Sequence, residues 1–501
     1  MLAEGGNAVD ACIAAAFASW VVEGPLTGAG GGGFMLVHRA RDASTRLLDF
    51  FVAVPGLGGT GAEGPEMTEI EVDYEPGGGT QIFHIGAASV AVPGMTHGLD
   101  QAHRAFGALP WKTLVDPAVE LARDGVVLTE SQAYLHTIVD LILRHTEEGK
   151  RVYGRDGERL VTGDRFVQAD LARTLEAIAD EGAAALASGE LGRALVDFMQ
   201  AEGGSVTGPD LAEYRVIRRR PIRVGFHGHE VDSNPPPSSG GVLIGYGLLL
   251  LDRLGLDGPP GSAEANAQLV EVAREQTRAR EHGFTTALYR GGLARRLHSE
   301  EAVEAAVERI RERLPAPVER AAARGTTHIS VVDARGNAAS LSATIGAGSG
   351  LIVPGTGVHL NNMLGELDLA SVTRPGARIT SMMAPSLVLR NGRPRLVVGS
   401  AGSVRLRAAI IQVIANAVGH GMSVEEAIGR PRVHLEEPTV QCEGGADTAE
   451  LDRLASWGYE LVRWKRRNLY FGGVAGVEML EDGSLAAAGD PRRGGAGLVV
   501  E

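Results

Sequence analysis

The stretch Gly-Thr-Thr-His-Ile-Ser-Val-Val-Asp at residues 325–333 decides the fold and carries the candidate chemistry. It follows a highly charged, alanine-rich segment of helical character at 300–324. After a Gly-Asn pair at 336–337, apolar and polar residues alternate again over 338–344. Alternating runs on both sides of a short turn are typical of a β-hairpin. The sequence therefore predicts a hairpin whose first strand begins at the two threonines.

Three further motifs accompany the hairpin. Asn-Ala-Val-Asp at 7–10 opens a predicted helix, four glycines at 30–33 precede a strand predicted at 34–39, and Pro-Pro-Pro-Ser-Ser-Gly-Gly at 235–241 precedes an apolar helix predicted at 242–254. The glycines do not join a strand to a helix, and no Lys-Ser/Thr pair follows them, so neither a dinucleotide loop nor a phosphate loop fits. We expect the glycines to allow close backbone packing beside an active site.

Together these motifs resemble the γ-glutamyltransferase family over essentially the whole chain. The resemblance implies an N-terminal-nucleophile hydrolase with an α/β (α+β) fold, a four-layer αββα sandwich. It also implies that the precursor cuts itself between Gly325 and Thr326 into a large subunit, 1–325, and a small subunit, 326–501. The two fragments would form a heterodimer that remains one structural unit.

The chemistry implied for Thr326 has a physical basis. A threonine hydroxyl is a weak nucleophile at neutral pH and needs a base. Cleavage would give Thr326 a free α-amine with a pKa of about 7.7–8.0, so that much of it is neutral near pH 7–8. The amine can then accept the hydroxyl proton, directly or through water. An amide nitrogen in an uncut chain has no basic lone pair.

A second candidate site element is Gly-Ser-Ala-Gly-Ser at 399–403, between a predicted strand and a helix predicted at 404–418. Taken alone, the string also fits a plain turn. Backbone N–H groups at a helix N-terminus favour an anion. By resemblance, the N–H groups of Gly402 and Ser403 form the oxyanion hole, and Thr344 binds the hydroxyl of the nucleophile.

The resemblance is weaker at the acyl pocket. The positions that correspond to the family's glutamyl site are Phe51, Met363, Glu366, Ser381 and Met382. Family members bind the glutamyl α-carboxylate with an arginine at the position of Phe51. The family has a pair of serines near the same carboxylate, and this chain has Ser381 and Met382 at those two positions. Glu366 matches the acid that meets the α-amine.

Replacement of that arginine predicts a changed substrate. A carboxylate placed against Phe51 would cost several kcal/mol, on the order of the desolvation of an unpaired polar group. The apolar residues Phe51, Met363 and Met382 therefore predict an acyl group less polar than glutamyl. An arginine from another loop could replace the clamp, which would restore γ-glutamyl specificity.

Composition limits the other possibilities. The chain has 501 residues, 44% hydrophobic and 22% charged, and its 48 Lys and Arg against 62 Asp and Glu give a net charge of −14. This charge disfavours nucleic acid as a partner. We expect a small-molecule amide or peptide substrate, no cofactor and no metal, since no His-Glu-x-x-His motif and no metal-spaced cluster occurs.

The compartment follows from the same survey. No apolar run is long enough for a transmembrane helix. No signal peptide precedes residue 7, so the sequence as given predicts a cytoplasmic protein. Since family members carry a strand and most of a helix before this point, a periplasmic or secreted location stays open if the start is truncated.

The chain has two cysteines, Cys12 and Cys442, which are far apart in sequence. Their number excludes a disulfide framework.

Three functions stay open on the sequence: a glutathione hydrolase or transpeptidase acting on γ-glutamyl amides, an acylase or amidase similar to cephalosporin acylase or oxamate amidohydrolase, and a non-catalytic binding protein that keeps the fold. His328 lies two residues after the predicted nucleophile, and we expect a structural role for it. No Gly-x-Ser-x-Gly elbow occurs, which disfavours a serine α/β-hydrolase.

Overall fold

The hairpin predicted after residue 325 lies at one edge of a five-stranded antiparallel sheet. The computed structural model describes residues 1–59, 65–73, 80–281, 283–313, 326–367, 372–402 and 405–500. Its strands, in chain order, are β1 Gly32–Arg39, β2 Ser44–Phe50, β3 Thr68–Asp73, β4 Thr80–Ile85, β5 Val126–Val127, β6 Gly154–Arg155, β7 Glu158–Arg159, β8 Arg165–Phe166, β9 Ile217–Arg219, β10 Ile222–Phe226, β11 His229–Ser233, β12 Thr327–Val332, β13 Ala338–Thr344, β14 Ile352–Val353, β15 Val358–His359, β16 Ser386–Arg390, β17 Arg393–Ala401, β18 Val433–Glu436, β19 Thr439–Cys442, β20 Glu460–Arg463, β21 Gly473–Met479 and β22 Leu485–Ala488.

Helices cover the outer faces of the sheets. In chain order they are α1 Ala8–Val22, α2 Met95–Phe106, α3 Trp111–Asp124, α4 Glu130–Ile138, α5 Asp140–Leu143, α6 Glu147–Tyr153, α7 Ala169–Glu181, α8 Ala184–Ala187, α9 Glu190–Ala201, α10 Gly208–Ala212, α11 Gly240–Leu254, α12 Ala263–Ala279, α13 Phe284–Arg290, α14 Leu293–Leu297, α15 Glu300–Arg313, α16 Leu406–Ile414, α17 Val424–Gly429 and α18 Thr448–Ser456. The first helix begins where predicted, because Asn7 and Asp10 form a capping box at its N-terminus.

Two large sheets form the centre of the fold. Sheet 1 has the strand order β12-β13-β1-β2-β9, and sheet 2 has the order β10-β11-β16-β17-β21-β22. Neighbouring strands in both sheets run antiparallel. Each sheet combines strands from both sides of residue 325, so the two parts of the chain are interleaved.

The period-2 alternation of β1 shows how the layers form. Phe34 and Leu36 lie in an apolar cluster with Leu387 and Val397 of sheet 2, between the two sheets. Met35 lies in a different cluster on the outer face of sheet 1, with residues of α1, α2, α3 and α7. A third cluster joins sheet 2 to α11, α12, α15 and α16. The layers are therefore helix, sheet, sheet, helix, which confirms the predicted αββα sandwich.

Some elements end earlier than the sequence pattern predicts. The sequence pattern at 46–54 predicts one strand, but β2 ends at Phe50, because Ala53 leaves the sheet to form bridges with Val92 and Arg378. The pattern at 129–145 predicts one helix, but it is broken at Val139, whose φ of −102° and ψ of 19° are not helical. These breaks come from tertiary contacts that local periodicity does not encode.

Candidate active site

Thr326 is the residue directly before β12, and only 3% of its surface is exposed. Strand β12 pairs with β13 so that Thr327 lies opposite Ala343. Continuing this register by one residue brings Thr326 opposite Thr344, where facing Cβ atoms are about 4.5–5.5 Å apart. The structure therefore brings together the two threonines that the sequence placed in one site. Gly325, the other side of the predicted cut, lies outside the described residues.

Thr344 lies at the end of β13, against the glycine run. The N–H of Gly346 donates a 2.7 Å hydrogen bond to Oγ1 of Thr344. On the other face, a Cβ atom on Gly31 would come within 2.2 Å of the Thr344 carbonyl oxygen, so only glycine fits there. The predicted close backbone packing of the glycines is confirmed, and at Gly31 the close contact is with the backbone of Thr344.

The turn after β17 brings Gly402 to the same end of the sandwich. Gly402 has a φ of +118°, and a Cβ atom there would lie 2.8 Å from Cα of Gly472, so glycine is required. Its carbonyl accepts a 3.1 Å hydrogen bond from the N–H of Arg405. Ser403, the second predicted oxyanion donor, lies outside the described residues.

Arg493 connects the Gly402 turn to Thr326. Its Nη1 donates a 3.0 Å hydrogen bond to the carbonyl oxygen of Thr326. Its Cδ lies 2.3 Å from where a Cβ atom on Gly473 would be, and Gly473 pairs with Ala401, the residue before Gly402. The sequence analysis missed Arg493, because a contact across 167 positions leaves no local pattern. The Arg-Arg pair after Asp-Pro at 490–491 is the only signal that could have drawn attention to it.

Glu23 is a second residue that the sequence analysis missed. It follows the last turn of α1, and its Oε2 accepts a 2.8 Å hydrogen bond from Oγ1 of Thr327. The contact fixes the residue next to Thr326, and it ties the β12 edge strand to the helical layer. No spacing rule links two residues 304 positions apart.

His328 has a structural environment, as expected. Its Nδ1 is 2.8 Å from Oγ of Ser342, and its Nε2 is 2.9 Å from Oγ of Ser330. The ring occupies the space above Gly399, where a Cβ atom would come within 2.2 Å of it. Desolvation of the ring lowers the pKa of His328 to about 3. The imidazole is therefore neutral at physiological pH and packs between the sheets.

The acyl-pocket candidates are distributed over two apolar clusters. Phe51 and Met363 belong to the cluster between the sheets, with 0% and 3% of their surfaces exposed. The Phe51 ring stacks on Phe34, with centroids 5.4 Å apart. Met382 instead belongs to the cluster beneath α11 and α16, and the neighbouring Met383 takes the place beside Phe51. We call Phe34, Phe51, Met363 and Met383 the Phe51 cluster.

Ser381 is held by the Pro-Pro-Pro-Ser-Ser-Gly-Gly string. Its carbonyl accepts hydrogen bonds from the N–H groups of Ser239 and Gly240 and from the hydroxyl of Ser238. Its own hydroxyl accepts from the N–H of Met383. Glu366 is buried after the short 3₁₀ turn Met363–Gly365. The string therefore fixes the loop that the sequence assigned to the substrate.

Arg378 is the arginine beside the Phe51 cluster. Its Nε lies 3.2 Å from Oδ1 of Asp49, and its guanidinium also donates to the backbone carbonyls of Asp49 and Arg215. The guanidinium carbon lies 4.3 Å from the centre of the Tyr214 ring. These contacts direct the charge of Arg378 to Asp49.

A small cavity is lined in part by Gly346. Apolar side chains and two guanidiniums also line it, among them Leu26, Phe83, Ile138, Leu469, Arg405 and Arg493. We call this space the arginine cavity. Two of its lining residues contact the candidate catalytic threonines, because the N–H of Gly346 binds Thr344 and Arg493 binds the Thr326 carbonyl.

Within the described ranges, no group of three His, Cys, Asp or Glu side chains is placed to hold a metal ion. No helix in that part of the chain is both long and apolar enough to cross a membrane.

Comparison with known proteins places this chain in a family. The sequence model of the family described as Gamma-glutamyltranspeptidase matches residues 1–500. The chain is 30% identical over 525 residues to the glutathione hydrolase proenzyme of Escherichia coli (strain K12), covering 98% of this chain and 87% of that protein. It is 33% identical over 513 residues to the Acylase ACY 1 proenzyme of Pseudomonas sp. (strain SE83), covering 100% of this chain and 90% of that protein.

The solved structure of cephalosporin acylase from Bacillus halodurans is similar, with a TM-score of 0.83 and 22% identity, covering 100% of this chain and 92% of that one. At this identity the similarity shows the fold alone. With a family match over residues 1–500, the chain belongs to the gamma-glutamyltranspeptidase family and is an enzyme of that type.

Proposed function

We propose that the chain cuts itself between Gly325 and Thr326 and that Thr326 then acts as an N-terminal nucleophile. The observation that carries the proposal is the placement of Thr326, buried at the start of β12, opposite Thr344 and hydrogen-bonded through its carbonyl to Arg493. In the cut, Oγ1 of Thr326 attacks the Gly325 carbonyl carbon, the C–N bond breaks, and water hydrolyses the resulting ester. The products are a carboxylate on Gly325 and a free amine on Thr326.

Turnover would use the same hydroxyl. The α-amine of Thr326 takes the proton from Oγ1, which attacks the substrate amide carbon. The negative charge on the carbonyl oxygen would be stabilised by the N–H groups of Gly402 and Ser403. The amine of Thr326 returns the proton to the leaving nitrogen, the C–N bond breaks, and water then hydrolyses the acyl ester. Thr344 would orient the hydroxyl.

We further propose that the two fragments, 1–325 and 326–501, remain together as a heterodimer. Support comes from the interleaved sheets: β13 of the second fragment pairs with β1 of the first, and β11 of the first pairs with β16 of the second. Separating the fragments would expose the cluster between the sheets, to which both contribute.

Gel analysis of purified protein tests self-cleavage. Under denaturing conditions the wild type should give two bands, with a new N-terminus at Thr326, while a native gel should show one species. Thr326→Ala should give a single uncut chain with no amide hydrolysis, and the matched variant Thr326→Ser, which keeps a hydroxyl, should still be cut. A wild-type chain that stays intact after prolonged incubation would overturn the proposal and would favour a non-catalytic binding protein.

For the substrate, we propose an amide whose acyl group is less polar than glutamyl. The supporting observation is the Phe51 ring, fully buried and stacked on Phe34 at the position where the family resemblance implies an arginine. The similarity to an acylase at 33% identity fits this choice, and the similarity to a glutathione hydrolase at 30% keeps γ-glutamyl amides as the second candidate.

A panel of chromogenic anilides decides between the two candidates. Aliphatic and aromatic acyl anilides should have higher kcat/KM values than γ-glutamyl-p-nitroanilide. Activity on the γ-glutamyl compound alone would contradict the proposed acyl group and would leave the Thr326 mechanism standing. Adding an acceptor amine to the same reactions measures transfer against hydrolysis.

A further inference from the structure

A groove of about 690 Å³ lies at the opposite end of sheet 1 from the candidate active site. The turns after β1 and β12 bound it, together with the N-terminal end of α1 and the C-terminal end of α2. We call this space the basic groove, because Arg39, Arg41 and Arg335 line it. Asn337, which also lines it, directly precedes β13, and Thr344 ends that strand. At roughly 3.3 Å per residue, the groove lies about 20 Å from Thr344.

Hydrogen bonds join the walls of the basic groove. Nδ2 of Asn7, the residue before α1, donates a 2.7 Å hydrogen bond to the carbonyl of Phe106 at the end of α2. The N–H of Ala40 donates a 3.0 Å hydrogen bond to Oδ1 of Asn337, which joins the two turns. All four residues line the groove. The space is therefore formed by the fold itself.

Two buried carboxylates next to the groove accept hydrogen bonds from its backbone. Oδ1 of Asp10 accepts a 3.0 Å hydrogen bond from the N–H of Ala108, and Oδ1 of Asp333 accepts one of 3.0 Å from the N–H of Asn337. Asp10 and Asp333 are 0% and 5% exposed and do not line the groove, whereas Ala108 and Asn337 do. Among the residues that the structure describes, no Asp or Glu is part of the lining.

The lining charge is therefore positive. Arg39 forms an ion pair with Asp42, but Arg41 and Arg335 have no ion pair and no side-chain hydrogen bond with any described residue. Three guanidiniums with one paired carboxylate leave an excess of positive charge, in a protein whose net charge is −14. Charges of one sign in a cleft raise the local concentration of ions of the opposite sign.

Apolar side chains form the floor of the basic groove. Val9 and Val37 line it with 3% and 2% of their surfaces exposed. Phe106 lines it as well, and it packs against the apolar cluster that contains both valines. A buried apolar floor beside exposed guanidiniums suits a molecule with an apolar body and an anionic head. The volume is within the range of about 300–1,000 Å³ that is usual for small organic ligands.

We propose that the basic groove binds an organic anion, a phosphate or carboxylate attached to an apolar body of about the size of an aromatic ring system. Arg41 and Arg335 bind the oxyanion, since a guanidinium contacts phosphates and carboxylates in a planar, directed way. The valines and Phe106 cover the apolar body. The Thr326 mechanism uses none of these residues, so the groove is a second site on the enzyme.

Calorimetric titration of the purified wild type tests the ligand class with four probes. Naphthyl phosphate and naphthoate carry an anion and an aromatic body, naphthol lacks the anion, and inorganic phosphate lacks the body. At least one naphthyl anion should bind about 10-fold or more tightly than both naphthol and inorganic phosphate, because it alone uses both parts of the groove. The tighter of the two identifies the oxyanion. Naphthol binding as tightly as both anions, or no binding of either anion, would overturn the proposal.

Variants assign the binding to the groove. Arg41→Met and Arg335→Met should each weaken binding of the tighter naphthyl anion by about 10-fold, and Arg335→Lys should keep part of the affinity, because lysine preserves the charge and loses the fork. The matched control is Arg390→Met, since Arg390 is an exposed arginine paired with Glu481. All four variants should keep the wild-type kcat/KM values on the anilide panel. Unchanged affinity in the double methionine variant would overturn the assignment.

Chemical modification of the wild type gives the same assignment without a substitution. Phenylglyoxal reacts with accessible guanidiniums, and mass spectrometry of the digested protein locates the modified residues. The tighter naphthyl anion should protect Arg41 and Arg335 and should leave modification of Arg390 unchanged. Equal modification of Arg41 and Arg335 with and without the anion would overturn the site. These measurements follow binding and not turnover, so their outcome is separate from that of the Thr326 mechanism.

Discussion

Two buried arginines, Arg378 and Arg405, differ in what surrounds them. Each is stacked on a tyrosine and has less than a tenth of its surface exposed, 7% for Arg378 and 2% for Arg405. Arg378 is directed to Asp49 and to two backbone carbonyls behind the Phe51 cluster. Arg405 lines the arginine cavity, and its backbone N–H binds the carbonyl of Gly402. Burial alone therefore does not distinguish the arginine that serves the Phe51 cluster from the arginine at the Gly402 turn.

The largest expected effect is on the side of the Phe51 cluster. Arg378→Met should lower the free energy of unfolding by about 3 kcal/mol or more, because removing one partner of a buried ion pair leaves Asp49 poorly compensated. Arg219, 2.7 Å from Oδ2 of Asp49, remains as its second partner. Urea denaturation with an unchanged m-value would measure the loss.

The same variant sharpens the contrast between the two arginines. In folded Arg378→Met protein, the order of kcat/KM values over the anilide panel should equal that of the wild type, since Arg378 serves the fold. Arg390→Met is the stability control, and it should change the free energy of unfolding by no more than about 0.5 kcal/mol because the Arg390–Glu481 pair is exposed. A changed order of substrates in Arg378→Met would place Arg378 in the site and erase the distinction.

The sequence was informative where backbone geometry is local and repetitive. The Thr326 hairpin and the close packing of the glycine run follow from alternation and from glycines, which act on near neighbours, whereas the αββα layers were predicted from the family resemblance. Met382 and Met383 show the limit: they lie in an irregular segment, so no period assigns Met382 to the cluster beneath α11 and α16 and Met383 to the Phe51 cluster. Arg493 shows another limit, because its role depends on contacts that only the folded chain creates.

The next effect concerns the turn that carries Arg405. Gly402→Ala should lower kcat by about 100-fold, because a shift of roughly 1 Å in a catalytic group has that consequence. The clash with Cα of Gly472 forces such a shift, and it would move the proposed oxyanion donor. Gly421→Ala is the matched control: Gly421 also has a positive φ, +70°, with no atom within 4 Å of the added methyl group. Equal losses in both variants would mean that backbone strain, and not the position of the turn, limits catalysis.

A smaller effect should appear in the pH dependence of stability. The folded-state pKa of His328 is lowered to about 3 from an ordinary value of 6.5, so below pH 6.5 the unfolded chain takes up a proton that the folded chain does not. Its contribution to stability is complete above pH 6.5 and is lost as the pH falls towards 3. Between pH 6 and 4 the wild type should lose up to about 1.4 kcal/mol per pH unit more than His328→Gln.

The pH–rate profile separates His328 from the nucleophile. Both proteins should keep the same acid limb in kcat/KM, set by the α-amine of Thr326 near its ordinary pKa of about 7.7–8.0. An acid limb that shifts in His328→Gln would show that the imidazole takes part in proton transfer. The expected result leaves His328 as a packing residue, although it is only two positions from Thr326.

The smallest expected effect tests whether the helical layer helps to position Thr326. Glu23→Gln removes the charge from the 2.8 Å hydrogen bond that Thr327 donates to Glu23, and it should cost about 1 kcal/mol, equivalent to a roughly fivefold slower self-cleavage. Thr327→Val removes the donor from the same bond. Because both variants act on the same hydrogen bond, self-cleavage in the double variant should be no slower than in the slower single variant. Additive losses would mean that Glu23 and Thr327 act separately, and positioning of the edge strand would then come from pairing with β13 alone.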